Sequence, residues 1–301
     1  MLSIKKYAAI DIGSNAVRLL ISNIIEQKGK PVQFKKNSLV RVPIRLGADV
    51  FVKQKISKEN TKRMLDTMLA FKLLMNSHKV VKYKACATSA MRESSNGREV
   101  AELIKKHADI SIDIIDGEEE AAIIAATDLN KFIDDSKTYL YVDVGGGSTE
   151  FSIIDQGEKV VSRSFKIGTV RLLNDMVSKE AWDELQRWIS EYSKKYEKIT
   201  VIGSGGNINK IFKVSGKKLG KPLSYFYMTS YYNTLQTYSY EERITELDLN
   251  QDRADVIIPA MRIYLSSMKW SGAKNIIVPK IGLADGVIKS IYYDTVSSNT
   301  Q

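Results

Sequence analysis

Tyr7-Ala-Ala-Ile-Asp-Ile-Gly-Ser-Asn-Ala-Val-Arg-Leu-Leu-Ile21 and Tyr139-Leu-Tyr-Val-Asp-Val-Gly-Gly-Gly-Ser-Thr-Glu-Phe-Ser-Ile153 follow one pattern: a short apolar run, an aspartate, a glycine turn and a second apolar run. The copies superpose without a gap, Asp11 on Asp143, Ile12 on Val144, Gly13 on Gly145, Arg18 on Glu150 and Leu19 on Phe151. The chain therefore reads as an internal duplication. β-Branched and aliphatic residues flank a break too short for a helix, so each copy reads as strand, glycine turn, strand. Glycines without Cβ let backbone N–H groups converge on an anion, and an aspartate ending the preceding strand can hold a cation beside it. Two such hairpins facing each other would clamp a phosphate chain.

At 301 residues the chain is about twice a typical single domain, so two separate cores are expected. Its charged and apolar fractions are those of a folded protein, with a polar tail from Ser297 to Gln301 set apart. No apolar stretch reaches membrane length and no signal-peptide core follows Met1, so a cytoplasmic location without membrane partners is expected. The one cysteine, Cys86, excludes an internal disulfide framework, and Ala85-Cys-Ala-Thr88 reads as a buried strand. The net charge of +10, most of it from lysine, draws polyanions without specifying which. Most lysines read as solvated faces, but Lys210, Lys213, Lys217, Lys218 and Lys221 follow a glycine loop. No helix-turn-helix, zinc-finger or RNP-type pattern is present, so no specific nucleic-acid partner is expected.

Along the chain, a strand is expected over Gln33–Val42 and then a polar bend. Ser57-Lys-Glu-Asn60 opens a helix to about Asn76, with Met64, Leu65, Met68, Leu69 and Leu73 on one face. A buried strand Tyr83–Thr88, a helix Gly97–His107 and a strand Ile110–Ile115 complete an α/β unit. Asp116-Gly-Glu-Glu-Glu120 starts a helix leading to the second hairpin. Beyond it, a strand Val160–Phe165, helices over Leu172–Tyr196 and a strand Lys198–Ile202 stopping at Gly203-Ser-Gly-Gly-Asn207 are expected. The region Lys217–Glu246 shows no strong period. A helix Arg253–Lys269, a strand Asn275–Val278 and a last helix from Ala284 follow. The expected division is 1–124 and 125–301, with the helix near 284–296 returning to the first domain.

Ile10-Asp-Ile-Gly-Ser-Asn15 with Arg18, Ala87-Thr-Ser-Ala-Met-Arg92 with Asn96, Gly117-Glu-Glu-Glu-Ala121, Asp143-Val-Gly-Gly-Gly-Ser-Thr-Glu150 and Gly203-Ser-Gly-Gly-Asn207 occur in one order and spacing. In this the chain resembles the exopolyphosphatase and guanosine pentaphosphate phosphohydrolase (Ppx/GppA) family, from about Ala8 to Ile291. The resemblance implies an α/β fold of duplicated, ribonuclease H-like domains, the two-lobed type of actin, Hsc70 and sugar kinases, with an interdomain active-site cleft. It also implies release of terminal phosphate from inorganic polyphosphate or guanosine pentaphosphate, usually with Mg²⁺. Longer relatives add a C-terminal HD-type domain; this chain has no His-Asp dipeptide and resembles the short form. A homodimer is left open.

Hydrolysis of a phosphoanhydride needs a positioned water, a proton acceptor, and positive charge or N–H donors on the phosphoryl oxygens. Glu120 matches the family's general base, with Glu119 as runner-up; alternatively Glu118, Glu119 and Glu120 only complement a helix N-terminus. Asp143 and Glu150, at opposite sides of one turn, and Asp11 in the first copy are candidate ligands for Mg²⁺ or another divalent ion. An aspartate at a glycine turn equally well caps local N–H groups. Ser14, Asn15, Arg18, Gly145, Gly146, Gly147 and Ser148 are the candidate phosphate cradle, Arg92 a stabiliser of phosphoryl charge or a surface ion pair, and Gly203, Ser204, Gly205 and Gly206 a third anion turn. The family's Gly-Leu-Arg-Glu-Gly-like segment is Gly282-Leu-Ala-Asp-Gly286 here, and Lys280 is a candidate replacement for the lost arginine. A kinase of the same fold and a noncatalytic polyphosphate or guanosine-phosphate sensor are the competing readings.

Overall fold

The computed structural model describes residues 2–125, 127, 129 and 132–298. The chain forms two compact units, Met1–Thr127 with Leu283–Gln301, and Asp128–Gly282.

In the first unit β1 (Leu2–Ile12) and β2 (Val17–Gln27) form an antiparallel ladder that sets Asp11 opposite Arg18, and β3 (Gln33–Val42) extends it. On the other side β4 (Lys82–Ala87) and β5 (Ile112–Ile114) run parallel, giving the order β3-β2-β1-β4-β5. Helices α1 (Leu46–Lys53), α2 (Lys58–Ser77), α3 (Ser89–Glu93) and α4 (Gly97–Ala108) fill the connections, and α5 (Gly117–Ala125) closes the run.

The second unit repeats the plan. β6 (Thr138–Val144), β7 (Thr149–Asp155) and β8 (Glu158–Phe165) form the antiparallel meander, followed by α6 (Thr169–Leu173) and α7 (Lys179–Ser193). β9 (Ile199–Ser204), α8 (Gly206–Val214), β10 (Leu223–Ser224), α9 (Tyr225–Thr237), α10 (Tyr240–Thr245), α11 (Gln251–Ala254), α12 (Ile257–Ser271) and β11 (Asn275–Ile277) complete it. The order β8-β7-β6-β9-β11-β10 matches the first sheet position for position, with β10 added at the edge. β6 is buried along its whole length, as a central strand covered on both faces must be.

The duplication runs past the hairpins. Val42 pairs with Val17, and five residues later Gly47 N donates to Ser14 O at 2.7 Å. Phe165 pairs with Thr149, and five residues later Val170 N donates to Gly146 O at 2.9 Å. In both units the helix after the third strand grips the same carbonyl of the glycine turn.

The last helix, α13 (Leu283–Ser298), belongs to the first unit. Asp285 ion-pairs with Lys36 at 2.8 Å, Tyr292 donates to Glu26 Oε1 at 2.8 Å, and Phe34 meets Tyr292 edge-on at 5.4 Å between centroids. A Cβ on Gly286 would lie 2.1 Å from Ile123 O, so α13 and α5 approach backbone to backbone. The tail expected from Ser297 starts inside this helix, and residues 299–301 lie outside the described residues.

Several local readings are corrected. The buried face of α2 is Met64, Thr67, Met68, Phe71 and Met75; Leu69 and Leu73 are exposed, because the 64-68-71-75 series and not the 65-69-73 series turns inward. β9 continues through Gly203 and Ser204 instead of stopping before them. The segment read as aperiodic forms α9 and α10, started by Ser224 and by a capping box of Ser239 and Glu242. The polar bend after β3 holds α1.

Candidate functional site

In the second unit the turn after β6 closes with Gly145 N donating to Ser148 O at 3.0 Å, as Gly13 N donates to Ala16 O at 3.1 Å in the first. The three glycine carbonyls then turn toward α6. Gly145 O accepts from Thr169 N at 3.0 Å, Gly146 O from Val170 N at 2.9 Å, and Gly147 O from the buried Arg171 Nε at 2.7 Å. Across a trans peptide plane the C=O and the following N–H point in opposite directions, and among the described residues no peptide bond is cis. The N–H groups of Gly146, Gly147 and Ser148 therefore point away from α6, as an anion cradle requires. In the first unit Ser14 O and Asn15 O accept from Gly47 N and Arg45 N, which turns the N–H groups of Asn15 and Ala16 the same way.

The expected hydroxyl groups are already engaged. Ser148 Oγ donates to Glu150 Oε1 at 2.6 Å, Ser204 Oγ to Ile281 O at 3.0 Å, and Ser14 Oγ shares a 2.9 Å hydrogen bond with Ser89 Oγ. The turns thus offer backbone amides, and the serine hydroxyls brace them. Gly203 serves packing, since a Cβ there would meet Ile276 Cδ1 at 2.7 Å. Gly205 has φ +117°, and a Cβ would sit 2.9 Å from Val144 O and 3.5 Å from Asp143 Oδ1, so the third turn lies directly against the metal candidate.

Asp143 and Glu150 are both buried and directly opposite each other on β6 and β7. The same row continues to Ser204 on β9 and Ser164 on β8, and Ser164 Oγ donates to Glu150 Oε1 at 3.0 Å. Like charges paired across a ladder repel, and two hard carboxylate oxygens side by side fit a divalent cation that keeps waters and shares phosphate oxygens. Among the described residues no three His, Cys, Asp or Glu side chains converge.

Asp11 has a different partner. Arg18 Nη1 donates to its Oδ2 at 3.1 Å; burial pushes the Asp11 carboxyl up while Arg18 opposes this. The row across this sheet reads Arg41, Arg18, Asp11, Cys86, Asp113, a salt bridge where the second unit sets two carboxylates.

Arg92 leaves α3 half-buried and donates from Nη1 to Ile115 O at 2.6 Å, a backbone bond in place of the surface ion pair. Ile115 N returns to Ala87 O at 3.0 Å, and Asp116 Oδ1 caps α5 by accepting from Glu118 N and Glu119 N at 2.9 and 2.8 Å. Arg92 and the start of α5 are thereby clipped together. All three glutamates stand in the first turn, where acids are favoured; Glu118 and Glu119 are exposed and Glu120 is half-buried. Lys280 places Nζ over the Phe212 ring at 5.2 Å.

Three supporting residues escape sequence reading. Arg171 holds Gly147, Ser164 holds Glu150, and the buried Tyr264 of α12 donates its hydroxyl to Ser204 O. Burial, with the charge of Asp143 adding, keeps the Tyr264 phenol far above its usual range. The Ile167-Gly-Thr-Val-Arg171 run carried a signal for the first; the other two depend on pairing across the sheet and on helix packing.

Two matching sheets, each with an aspartate and an amide-lined turn at the end of its first strand, define a duplicated ribonuclease H-like α/β protein of the actin-like ATPase class. The chain belongs to the Ppx/GppA phosphatase family, whose model matches residues 38–294. It is 31% identical over 202 residues to a bifunctional 3-dehydroquinate synthase/phosphatase of Fusobacterium nucleatum, covering 63% of this chain and 30% of that protein. It is 25% identical over 170 residues to exopolyphosphatase 1 of Mycobacterium tuberculosis, covering 56% of this chain and 48% of the relative. The chain thus spans half or less of the length of these relatives. The crystal structure of an exopolyphosphatase from Cytophaga hutchinsonii shares the fold, with a TM-score of 0.84 at 23% identity over 96% of this chain and 98% of the other. Among the described residues no helix is long and apolar enough to cross a membrane.

Proposed function

We propose that the protein hydrolyses the terminal phosphoanhydride of inorganic polyphosphate, the activity for which the mycobacterial and Cytophaga relatives are named. The observation that carries this reading is the buried Asp143–Glu150 pair beside a turn that aims the amides of Gly146, Gly147 and Ser148 away from α6. Such amides suit phosphoryl oxygens, and the carboxylates suit the magnesium or other divalent ion that neutralises phosphoanhydrides when bound. Asp143 and Glu150 would hold that ion. Asp11, paired with Arg18, serves to orient a guanidinium toward phosphate rather than to bind metal.

In the first unit Glu120 accepts the proton of the attacking water. Its partial burial favours it over exposed Glu119. Arg92, fixed through Ile115, stabilises charge on the phosphoryl group. Guanosine pentaphosphate offers the same terminal anhydride and is the second substrate to assay.

The test is phosphate release from polyphosphate and from guanosine pentaphosphate, with and without Mg²⁺, by the wild type and Glu120→Gln. The expected result is metal-dependent release from polyphosphate that falls by about 10²–10⁴-fold in the variant. Tight polyphosphate binding with no release by the wild type would overturn the reading in favour of a sensor, and acceptor-dependent transfer would favour a kinase.

A further inference from the structure

From Lys198 to Tyr240 the chain runs 43 residues without an aspartate or glutamate, while carrying six lysines. This segment contains the end of β9, the Gly205–Gly206 turn, α8, β10 and α9. Among the described residues only Lys210 of the six has a carboxylate within ion-pair distance, Asp248 at 3.6 Å. Lys213, Lys217, Lys218 and Lys221 are exposed, and so is Lys274. Among the described residues none of these five has a carboxylate within ion-pair distance.

They form one surface. Lys217 Nζ donates to Pro222 O at 2.6 Å and Lys221 N to Lys218 O at 3.0 Å, which folds the loop between α8 and β10 onto itself. Ser224 pairs with Asn275 and Tyr225 N donates to Lys274 O at 2.9 Å, which brings Lys274 beside that loop. Lysines on a surface are ordinarily solvated and interspersed with acids, and Lys213 also complements the C-terminus of α8. Four such charges between Lys213 and Lys221, with Lys274 beside them, instead build a field that a polyanion relieves. α8 connects the two features: the glycine turn caps its N-terminus and the lysine loop follows its C-terminus, about 13 Å apart for nine residues.

We propose that the lysine surface at the α8–β10 connection is an exosite that holds the distal part of a long polyphosphate chain. The proposal rests on the hydrolase reading for the placement of the chain's end, and it makes chain-length preference a property of this surface. A tripolyphosphate is too short to reach from the glycine turn to the lysines, whereas a long chain engages both.

The experiment compares wild type with the combined Lys217→Ala, Lys218→Ala, Lys221→Ala variant, none of which lies in the hydrolytic machinery. For long-chain polyphosphate the KM is expected to rise about tenfold and the log–log salt dependence to fall by about 2, with tripolyphosphate kinetics unchanged. Equal effects on both substrates, or none on the long chain, overturn the proposal while leaving the hydrolase reading standing. Equilibrium binding of long-chain polyphosphate is measured beside it. Binding that depends on the lysines in a protein that releases no phosphate supports the exosite and sinks the hydrolase reading. Phe226 is 80% exposed next to this surface. If single-stranded RNA binds the lysines more tightly than polyphosphate of equal charge, and Phe226→Ser abolishes that advantage, the surface reads nucleic acid and the proposal fails.

Discussion

Arg18 donates from Nη1 to Asp11 Oδ2 at 3.1 Å across the register pair that Glu150 and Asp143 occupy in the second hairpin. One backbone device thus carries a salt bridge in one copy and a double carboxylate in the other. Removing the guanidinium leaves Asp11 buried without that charge, so Arg18→Met is expected to cost about 2 kcal/mol at neutral pH. Adding Asp11→Asn should recover most of that loss. Chemical denaturation of the two single variants and the double variant measures the coupling; strictly additive effects would refute the pair.

Glu150→Gln separates stability from ion binding. The Oε1 position keeps its donors from Ser148 and Ser164 at 2.6 and 3.0 Å if the amide oxygen takes it, while repulsion from Asp143 disappears. In metal-free buffer the variant is expected to melt about 2 °C higher. Its affinity for Mg²⁺ or Mn²⁺, read by calorimetry, should drop at least about tenfold. A lower melting temperature, or unchanged ion affinity, contradicts the assignment of this pair to a cation.

The hairpins were legible because a period-two apolar pattern broken by Asp and Gly has few alternative readings, and an ungapped repeat doubles the signal. The same alignment makes the Asp11–Arg18 and Asp143–Glu150 positions equivalent, while their direct pairing is set by the two ladders. The use of the turn was less legible. Ser14, Ser148 and Ser204 look like phosphate ligands in sequence, yet their hydroxyls face Ser89, Glu150 and Ile281; the first and last partners, 75 and 77 residues away, are ones that no local pattern reveals. α9 was missed because its Tyr, Phe and Thr residues have higher strand than helix preference; Ser224 at its start and the burial of Met228 and Leu235 override that preference.

Gly286 is where α13 meets the helix carrying Glu120. A helix-interior Gly→Ala change ordinarily gains up to about 1 kcal/mol. At this position the new Cβ would lie 2.1 Å from Ile123 O, a backbone atom that cannot rotate aside. Gly286→Ala is expected to cost about 2 kcal/mol in urea unfolding. Gly282→Ala, whose Cβ would meet only Ser204 Oγ among the described residues, at 3.8 Å, should stay within about 0.5 kcal/mol of wild type. Equal effects at the two glycines would show that the α5–α13 approach is not set by the missing Cβ.

Cys86 shares a sheet row with Asp11 and Asp113 and is fully buried. Burial pushes its thiol from 9.0 up to about 12, with Asp113, Asp11 and Glu119 adding and Lys84 opposing. Below pH 9 both folded and unfolded chains keep the proton. Above it the unfolded chain releases a proton that the native chain retains, so the stabilisation linked to this thiol is present in full below pH 9 and is lost as pH rises toward about 12. At about 1.4 kcal/mol per pH unit the loss reaches roughly 2 kcal/mol by about pH 10.5. Cys86→Ala lacks this linkage, so the stability difference between wild type and variant should shift by that amount in the variant's favour between about pH 8.5 and 10.5. Native protein at about pH 8 should also resist thiol reagents until it is unfolded. A difference that stays flat with pH, or a native thiol that labels as fast as the unfolded one, would show that Cys86 is accessible and its proton no more tightly held than in the open chain.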